Sequence, residues 1–152
     1  MKLIKFFLLL CLPVLLLIGC AGDGAVLLSL PAYTHKEFYT EGVWQDFTDY
    51  GVWVFSPFAE SKLEENPYFE RVTDVEDLCS YIDCYEGRIS EESELSEHYH
   101  FEKTWIDTED YYFLYTKEGD PIGNTTYRKF DNYDLYIFDL DTWTLHFFHS
   151  NI

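Results

Sequence analysis

The sequence predicts a single α+β domain that follows a short N-terminal leader. One amphipathic helical segment lies in the middle of the chain, and short runs rich in aromatic and β-branched residues follow it. The 152 residues suffice for one domain, and an aromatic content of 20% indicates a packed core rather than disorder. We expect residues 32–152 to form one helix packed on a C-terminal antiparallel β-meander, with an N-terminal strand pair.

The first twenty residues have the pattern of a secretory signal peptide. Lys2 and Lys5 precede an almost unbroken apolar run from Phe6 to Ile18. A membrane-spanning helix needs about 20 apolar residues, and Gly19 ends this run too early for that alternative. The sequence therefore predicts a signal peptide over residues 1–19 and a tether over residues 20–31.

The end of this segment, Leu17-Ile18-Gly19-Cys20, resembles the lipobox of bacterial lipoprotein precursors. The resemblance implies diacylglyceryl transfer to the Cys20 sulfur, cleavage before Cys20 and acylation, for example with palmitate, of the new amino group. It implies a protein anchored to a membrane by lipid and facing the periplasm. Ala21 after the cysteine favours the outer membrane over the inner one.

The N-terminal strand pair is predicted from residues 41–58. Two stretches rich in Trp, Val and Phe flank Asp49-Tyr50-Gly51, which has the composition of a turn. Pro57 is expected to end the second strand.

The clearest helix follows Thr73. Thr73 and Glu76 have the spacing of a capping box, and Gly87 marks the expected end of the helix. The apolar residues at helical spacing are Val75, Leu78, Cys79 and Ile82. They form one stripe that we expect to be buried.

The C-terminal half predicts strands. They cover residues 98–106, 110–117, 124–130, 133–139 and 142–149, with turn residues between them. Short connections favour antiparallel neighbours, with one face packed on the helix and the other facing water. Tyr111 to Tyr115 is apolar on both faces, so this strand is either core or a binding surface.

Two cysteines of the domain, Cys79 and Cys84, lie in the region of the helix. Residues five apart on a regular helix are separated by more than the roughly 7 Å between Cα atoms that a disulfide permits. Either the helix ends near Ile82 and the bond forms across its end, or both thiols stay free. An oxidising envelope compartment favours the disulfide.

The sequence predicts no catalytic, metal or cofactor site. Residues 137–142 resemble the D-x-D-x-T motif of haloacid-dehalogenase phosphatases, which implies a nucleophile at Asp139 and an acid/base at Asp141. Only ten residues follow Thr142, and these lack the lysine and aspartates of that family, so we interpret both as turn residues. His146 and His149 should face opposite sides of one strand, which argues against a shared metal.

Charge suggests the class of partner. The chain carries 10 Lys and Arg against 28 Asp and Glu, which argues against nucleic acid as a ligand and favours a cationic one. We expect a non-enzymatic lipoprotein that binds a basic envelope protein, as immunity proteins and lysozyme inhibitors do, with Glu91, Glu92 and Glu94 as contacts. The alternative is an accessory lipoprotein for envelope assembly or stress response, similar to small prophage-borne envelope lipoproteins.

Overall fold

The computed structural model describes residues 23–43 and 46–152, and these described residues fall into two units that divide after Pro31. In the first unit, helix α1 covers Asp23–Leu28, so part of the predicted tether is helical. The Ser29 hydroxyl donates a hydrogen bond to the Val26 carbonyl at 2.6 Å, just after this helix. None of the helices in the described ranges has the length and apolar character needed to cross a membrane.

The second unit is built on an antiparallel sheet. The strands of this unit are β1 (Tyr33–Val43), β2 (Asp46–Phe55), β3 (Glu70–Arg71), β4 (Tyr111–Thr116), β5 (Pro121–Ile122), β6 (Thr125–Thr126), β7 (Asn132–Asp139) and β8 (Thr144–Asn151). Six of them form one sheet in the order β1-β2-β8-β7-β4-β3, while β5 and β6 pair separately. Its helices are α2 (Ser61–Glu64), α3 (Val75–Glu86), α4 (Glu94–His98) and a 3-10 helix (Lys103–Trp105). The predicted α+β class is confirmed.

Strands β1 and β2 form the N-terminal pair, but the predicted position of the turn is wrong. Asp49-Tyr50-Gly51 lies in the middle of β2, paired with β1 on one side and β8 on the other. Gly51 is needed there for packing, because a Cβ at this position would lie 2.4 Å from the Trp53 ring. The glycine therefore makes room for an aromatic neighbour within a central strand.

Helix α3 is capped one residue later than predicted. Asp74, rather than Thr73, is the N-cap, and its Oδ1 accepts a hydrogen bond from the Asp77 N–H at 2.9 Å. A carboxylate both accepts this bond and interacts favourably with the helix dipole. The helix ends at Glu86 with Gly87 as its C-cap, so the predicted end is confirmed.

One face of the sheet, called here the helix-side face, packs against α3, α4 and the segment that follows α4. The core on this side consists of Tyr50, Val72, Leu78, Tyr81, Ile82, Tyr85, Leu95, Phe101, Ile106, Tyr133, Leu135, Ile137 and Phe148. Two of its buried hydroxyls have backbone acceptors: Tyr85 donates to the Asp49 carbonyl at 2.9 Å, and Tyr133 to the Tyr81 carbonyl at 2.8 Å. A tyrosine-rich core is therefore compatible with burial.

The opposite face of the sheet was predicted to meet water, and this is wrong. Trp53, Phe138 and Phe147 on that face are at most 2% exposed. Around Phe138 the neighbouring rings within 6.4 Å include Phe58, Phe69 and Trp143. The strands therefore bury aromatic residues on both sides, and their hydrophobic pattern does not alternate cleanly.

Two predicted strands are also wrong. Residues 98–106 start at the end of α4 and contain the 3-10 helix, and only Thr125 and Thr126 of residues 124–130 belong to a strand. Both segments mix aromatic and polar residues, a pattern that does not distinguish a strand from an irregular segment packed on a core. In β4, Tyr111 is buried whereas Tyr115 is 48% exposed, so the strand begins in the core and is open to solvent near its end.

Candidate functional site

The sequence-predicted site residues do not converge on one place. Cys20 lies outside the described residues. Cys79 and Cys84 both lie in α3, and both thiols are free. The favoured disulfide is not formed because the helix continues past Ile82 to Glu86, which keeps the two cysteines at regular helical spacing.

The predicted contact residues Glu91, Glu92 and Glu94 are exposed around the start of α4. This helix packs against β1, where the rings of Tyr39 and His98 stack with centroids 4.2 Å apart. The three glutamates thus form an accessible acidic patch, called here the glutamate patch.

A cleft of about 460 Å³ opens at one end of the helix-side face. Its floor consists of alternate residues of two adjacent interior strands: Val52 and Val54 from β2, Thr144 and His146 from β8. Strand register places these residues together, because Val52 pairs with His146 and Val54 pairs with Thr144. The volume lies within the roughly 300–1,000 Å³ typical of ligand pockets.

Two segments form the walls of the cleft. One wall carries Thr104, Trp105 and Asp107, at and beyond the 3-10 helix, and the other carries Asp139, Asp141 and Thr142 from the turn between β7 and β8. Trp105 is 42% exposed, so part of its ring is open to solvent. We call this site the Trp105 cleft.

The turn that forms the second wall is fixed by Asp139. Its Oδ1 accepts hydrogen bonds from the backbone N–H groups of Asp141 (2.8 Å) and Thr142 (3.2 Å), and its Oδ2 accepts from the Thr142 hydroxyl at 2.8 Å. Strand β7 is antiparallel to both of its neighbours. The D-x-D-x-T run is therefore a hairpin turn organised by Asp139, with the Asp141 side chain left exposed.

The Asp110 side chain is hydrogen-bonded to both wall segments. It is 3% exposed, and its two carboxylate oxygens accept hydrogen bonds from the N–H groups of Asp107 and Leu140, each at 3.0 Å. Burial raises the pKa of Asp110 to about 6, although the two N–H donors act in the opposite direction. One buried side chain thus holds both acidic segments at a fixed separation.

His146 is the buried polar group of the floor. It is 5% exposed, its Nδ1 lies 3.2 Å from the Tyr50 hydroxyl, and the Phe101 ring packs against it with centroids 4.8 Å apart. Burial lowers the pKa of His146 to about 4, so the imidazole is neutral at pH 7. Its Nε2 has no hydrogen-bond partner among the residues that the structure describes.

The electrostatic character of the cleft is acidic. Its lining includes three aspartates and, among the described residues, neither lysine nor arginine. The Asp141 carboxylate accepts no hydrogen bond from the described residues, and Asp107 uses only Oδ1, for the Glu109 N–H at 2.6 Å. The hydroxyls of Thr142 and Thr144 already donate to Asp139 and to a turn carbonyl. The cleft therefore offers mostly hydrogen-bond acceptors.

Sequence reasoning missed this site. It placed Trp105 within a predicted strand, and it identified Asp139 and Asp141 as turn residues without bringing them near Trp105. One aromatic residue close to Asp107, Glu109 and Asp110 is a weak signal of an exposed ring. No local sequence pattern predicts the floor of the cleft, because the floor depends on the pairing of β2 with β8.

The histidines do not assemble a metal centre. His146 lies on the helix-side face, whereas His149 lies on the opposite face, where its Nδ1 is 2.5 Å from Asp134 Oδ1. Within residues 23–43 and 46–152, no group of three or more His, Cys, Asp or Glu side chains has an arrangement that could hold a metal ion. No protein-family model, curated protein or solved structure matches this chain.

Proposed function

We propose that this protein is a lipid-anchored envelope lipoprotein whose acidic domain binds a cationic partner protein, in the manner of an immunity protein or an enzyme inhibitor. The observation that supports this most directly is the Trp105 cleft, with its three aspartates, its half-exposed indole and, in the described part of the chain, neither lysine nor arginine in its lining. Exposed tryptophan side chains are common anchors of protein interfaces, and acidic groups around one are complementary in charge to a basic partner.

The charge of the whole chain supports the same class of partner. Cleavage before Cys20 would remove Lys2 and Lys5 and no acid, leaving 10 − 2 = 8 basic residues against 28 acidic ones, a net charge of −20. Such a surface accelerates association with a basic protein and makes that association sensitive to salt. The exposed glutamate patch at α4 adds further acidic surface to the domain.

The anchor rests on the N-terminal sequence. The run Leu17-Ile18-Gly19-Cys20 supports lipidation at Cys20, and more than one acyl chain gives stable anchoring at about 0.8 kcal/mol per buried methylene. The protein then faces the periplasm, with Ala21 favouring the outer membrane. Anchoring concentrates the acidic domain where a secreted or envelope protein is encountered.

Labelled palmitate tests the anchor. Cells that express the wild-type chain should incorporate label into it, and Cys20→Ser should remove both the label and the retention in the membrane fraction. Cys11→Ser is the matched control, since Cys11 lies inside the apolar run, and it should leave labelling unchanged. Continued labelling of the Cys20→Ser protein would contradict the assignment.

Capture from envelope extract tests the partner. The full chain, purified in a non-ionic detergent, is immobilised and incubated with extract at low and at high salt, and retained proteins are identified by mass spectrometry. We expect one basic protein whose retention falls at high salt. Retention of acidic or neutral envelope components instead, unchanged by salt, would contradict the proposal and favour the accessory role.

A further inference from the structure

We propose that the Trp105 cleft is the receptor for a single arginine side chain presented by the partner protein. This inference rests on the proposed function, and it names the group that the acidic domain recognises. Four features carry it: the shape of the floor, the position of the carboxylates, the unpartnered nitrogen of His146 and the exposed face of Trp105.

The floor suits an aliphatic stem. Val52 and Val54 are partly buried side chains on adjacent positions of the helix-side face of β2, and Thr144 lies beside Val54 on β8. An arginine side chain carries three methylenes before its charged group, and such stems are commonly buried along apolar surface while the head remains polar. The cleft is therefore apolar at its base and acidic at its walls.

The walls suit a group that only donates hydrogen bonds. Asp107 and Asp141 come from two different segments that line the cleft, and each has carboxylate oxygens without a partner among the described residues. A guanidinium carries five N–H donors and no acceptor, so it can bind carboxylates on two sides at once. The Asp110 carboxylate is hydrogen-bonded to both wall segments and fixes their relative position. The acceptors are therefore positioned before the ligand arrives.

His146 supplies an observation independent of the acidic residues. It is nine-tenths buried, lines the cleft and has an Nε2 without a partner in the described part of the chain. Nε2 is not enclosed by protein, so a ligand in the cleft can reach it and form a hydrogen bond there. The imidazole is neutral at pH 7, and in the tautomer whose Nδ1–H donates to the Tyr50 hydroxyl its Nε2 can accept an N–H from a cation without repelling it.

Trp105 favours arginine over lysine. Its ring lines the cleft with its centroid 5.8 Å from that of His146, and the side chain is partly open to solvent. A planar guanidinium stacks on an indole and keeps its in-plane donors for carboxylates, whereas an ammonium is a strongly hydrated point charge. The arrangement of stacking face, flanking carboxylates and apolar floor therefore matches arginine.

The test uses the full chain in detergent, labelled with 5-fluorotryptophan, and one-dimensional fluorine NMR. The chain has four tryptophans, and Trp105→Phe assigns the resonance of interest. The probe is the peptide acetyl-Gly-Gly-Arg-Gly-Gly-amide. Three matched peptides carry citrulline, lysine or norleucine in place of arginine, so that charge, head-group shape and stem are varied separately.

We expect the arginine peptide to shift the Trp105 resonance in a saturable manner. The citrulline peptide should bind at least about tenfold more weakly, because it keeps the shape of the head group but lacks its charge. The lysine peptide should fall between them. Equal binding of the arginine and citrulline peptides, or a Trp105 resonance that no peptide moves, would overturn the proposal.

Variants locate the contact. Asp107→Asn and Asp141→Asn should each weaken arginine binding by about fivefold or more, as expected for removal of a charge-assisted partner. Asp120→Asn is the control, because Asp120 is an exposed acid in the turn before β5 and gives the same charge change away from the cleft. An equal loss of affinity in the control would mean that the net charge of the protein, and not contact with Asp107 and Asp141, determines binding. That result would overturn the proposed site.

The same variants separate this inference from the proposed function. If the envelope partner is retained equally by wild type, Asp107→Asn and Asp141→Asn, the arginine site is overturned while the partner-binding function stands. If the arginine peptide binds the cleft but no basic protein is captured, the site is supported and the proposed function fails. Tighter binding of a neutral oligosaccharide than of the arginine peptide would also overturn the inference.

Discussion

The buried His146 makes a specific contribution to the pH dependence of folding. Its pKa is lowered from 6.5 to about 4 by burial in the floor of the cleft. As the pH falls below 6.5, the unfolded chain takes up a proton at this position and the folded protein does not, so the folded state loses stability until the pH reaches about 4. The 2.5-unit difference corresponds to about 3 kcal/mol, at about 1.4 kcal/mol per unit.

Asp110 acts in the opposite direction. Its pKa is raised from 3.8 to about 6, so the folded protein binds the proton first as the pH falls, and stability increases between about pH 6 and pH 4. This contribution is up to about 3 kcal/mol on the same scale. The two groups therefore nearly cancel in the wild-type protein, and only single variants reveal them.

The perturbation is His146→Gln, which keeps a hydrogen-bonding side chain but cannot be protonated. The assay is urea unfolding of the full chain in non-ionic detergent, followed by tryptophan fluorescence at pH 7, 6, 5 and 4. The difference in unfolding free energy between wild type and His146→Gln should decrease by about 3 kcal/mol from pH 7 to pH 4. The difference in unfolding free energy between wild type and Asp110→Asn should instead increase from pH 7 to pH 4.

Comparing each variant with wild type at the same pH cancels the contributions of the other carboxylates. Parallel curves for wild type and His146→Gln over this range would refute the reasoning, since they would mean that the imidazole is protonated as easily in the folded protein as in the unfolded chain. A proton taken up near pH 6.5 in the folded state would also contradict the neutral acceptor assigned to the cleft.

Three further predictions concern the scaffold. Asp74→Ala should lower the unfolding free energy by about 1 kcal/mol in urea titrations, because it removes the N-cap of α3, whereas Thr73→Ala should have a clearly smaller effect; equal effects would contradict the assigned cap. Gly51→Ala should destabilise the fold by about 1–3 kcal/mol in the same assay, since the new methyl group would overlap the Trp53 ring, and an unchanged midpoint would contradict that packing. Both cysteines of α3 should react with iodoacetamide in denaturant without reductant, while a mass about 2 Da lower before reduction would show the disulfide instead.

Local patterns in the sequence determined the features that depend on neighbouring residues. The α+β class, the end of α3 at Gly87 and the turn at Asp139 and Asp141 follow from hydrogen bonds and spacings within a few positions. The acidic character of the chain likewise follows from composition alone. Such features are predictable because backbone capping and turn geometry restrict the residues that can occupy each position.

Tertiary structure decided where the strands lie and what they bring together. The turn predicted at Gly51 is the interior of β2, since strand pairing with β8 outweighs the local preference of glycine for turns. The segment around Trp105 packs as a wall of a cleft, although its composition resembles a strand. Both differences arise because burial against distant residues, rather than local propensity, determines the conformation.

The cleft itself depends on contacts between residues far apart in the chain. Tyr50 and His146 are 96 positions apart, and their hydrogen bond exists only because β2 and β8 are neighbours in the sheet. Trp105 and Asp107 reach the same place through Asp110, which holds their segment against the turn that follows β7. Sequence alone therefore supplied the acidic and aromatic residues, whereas strand order and burial placed them around one cavity.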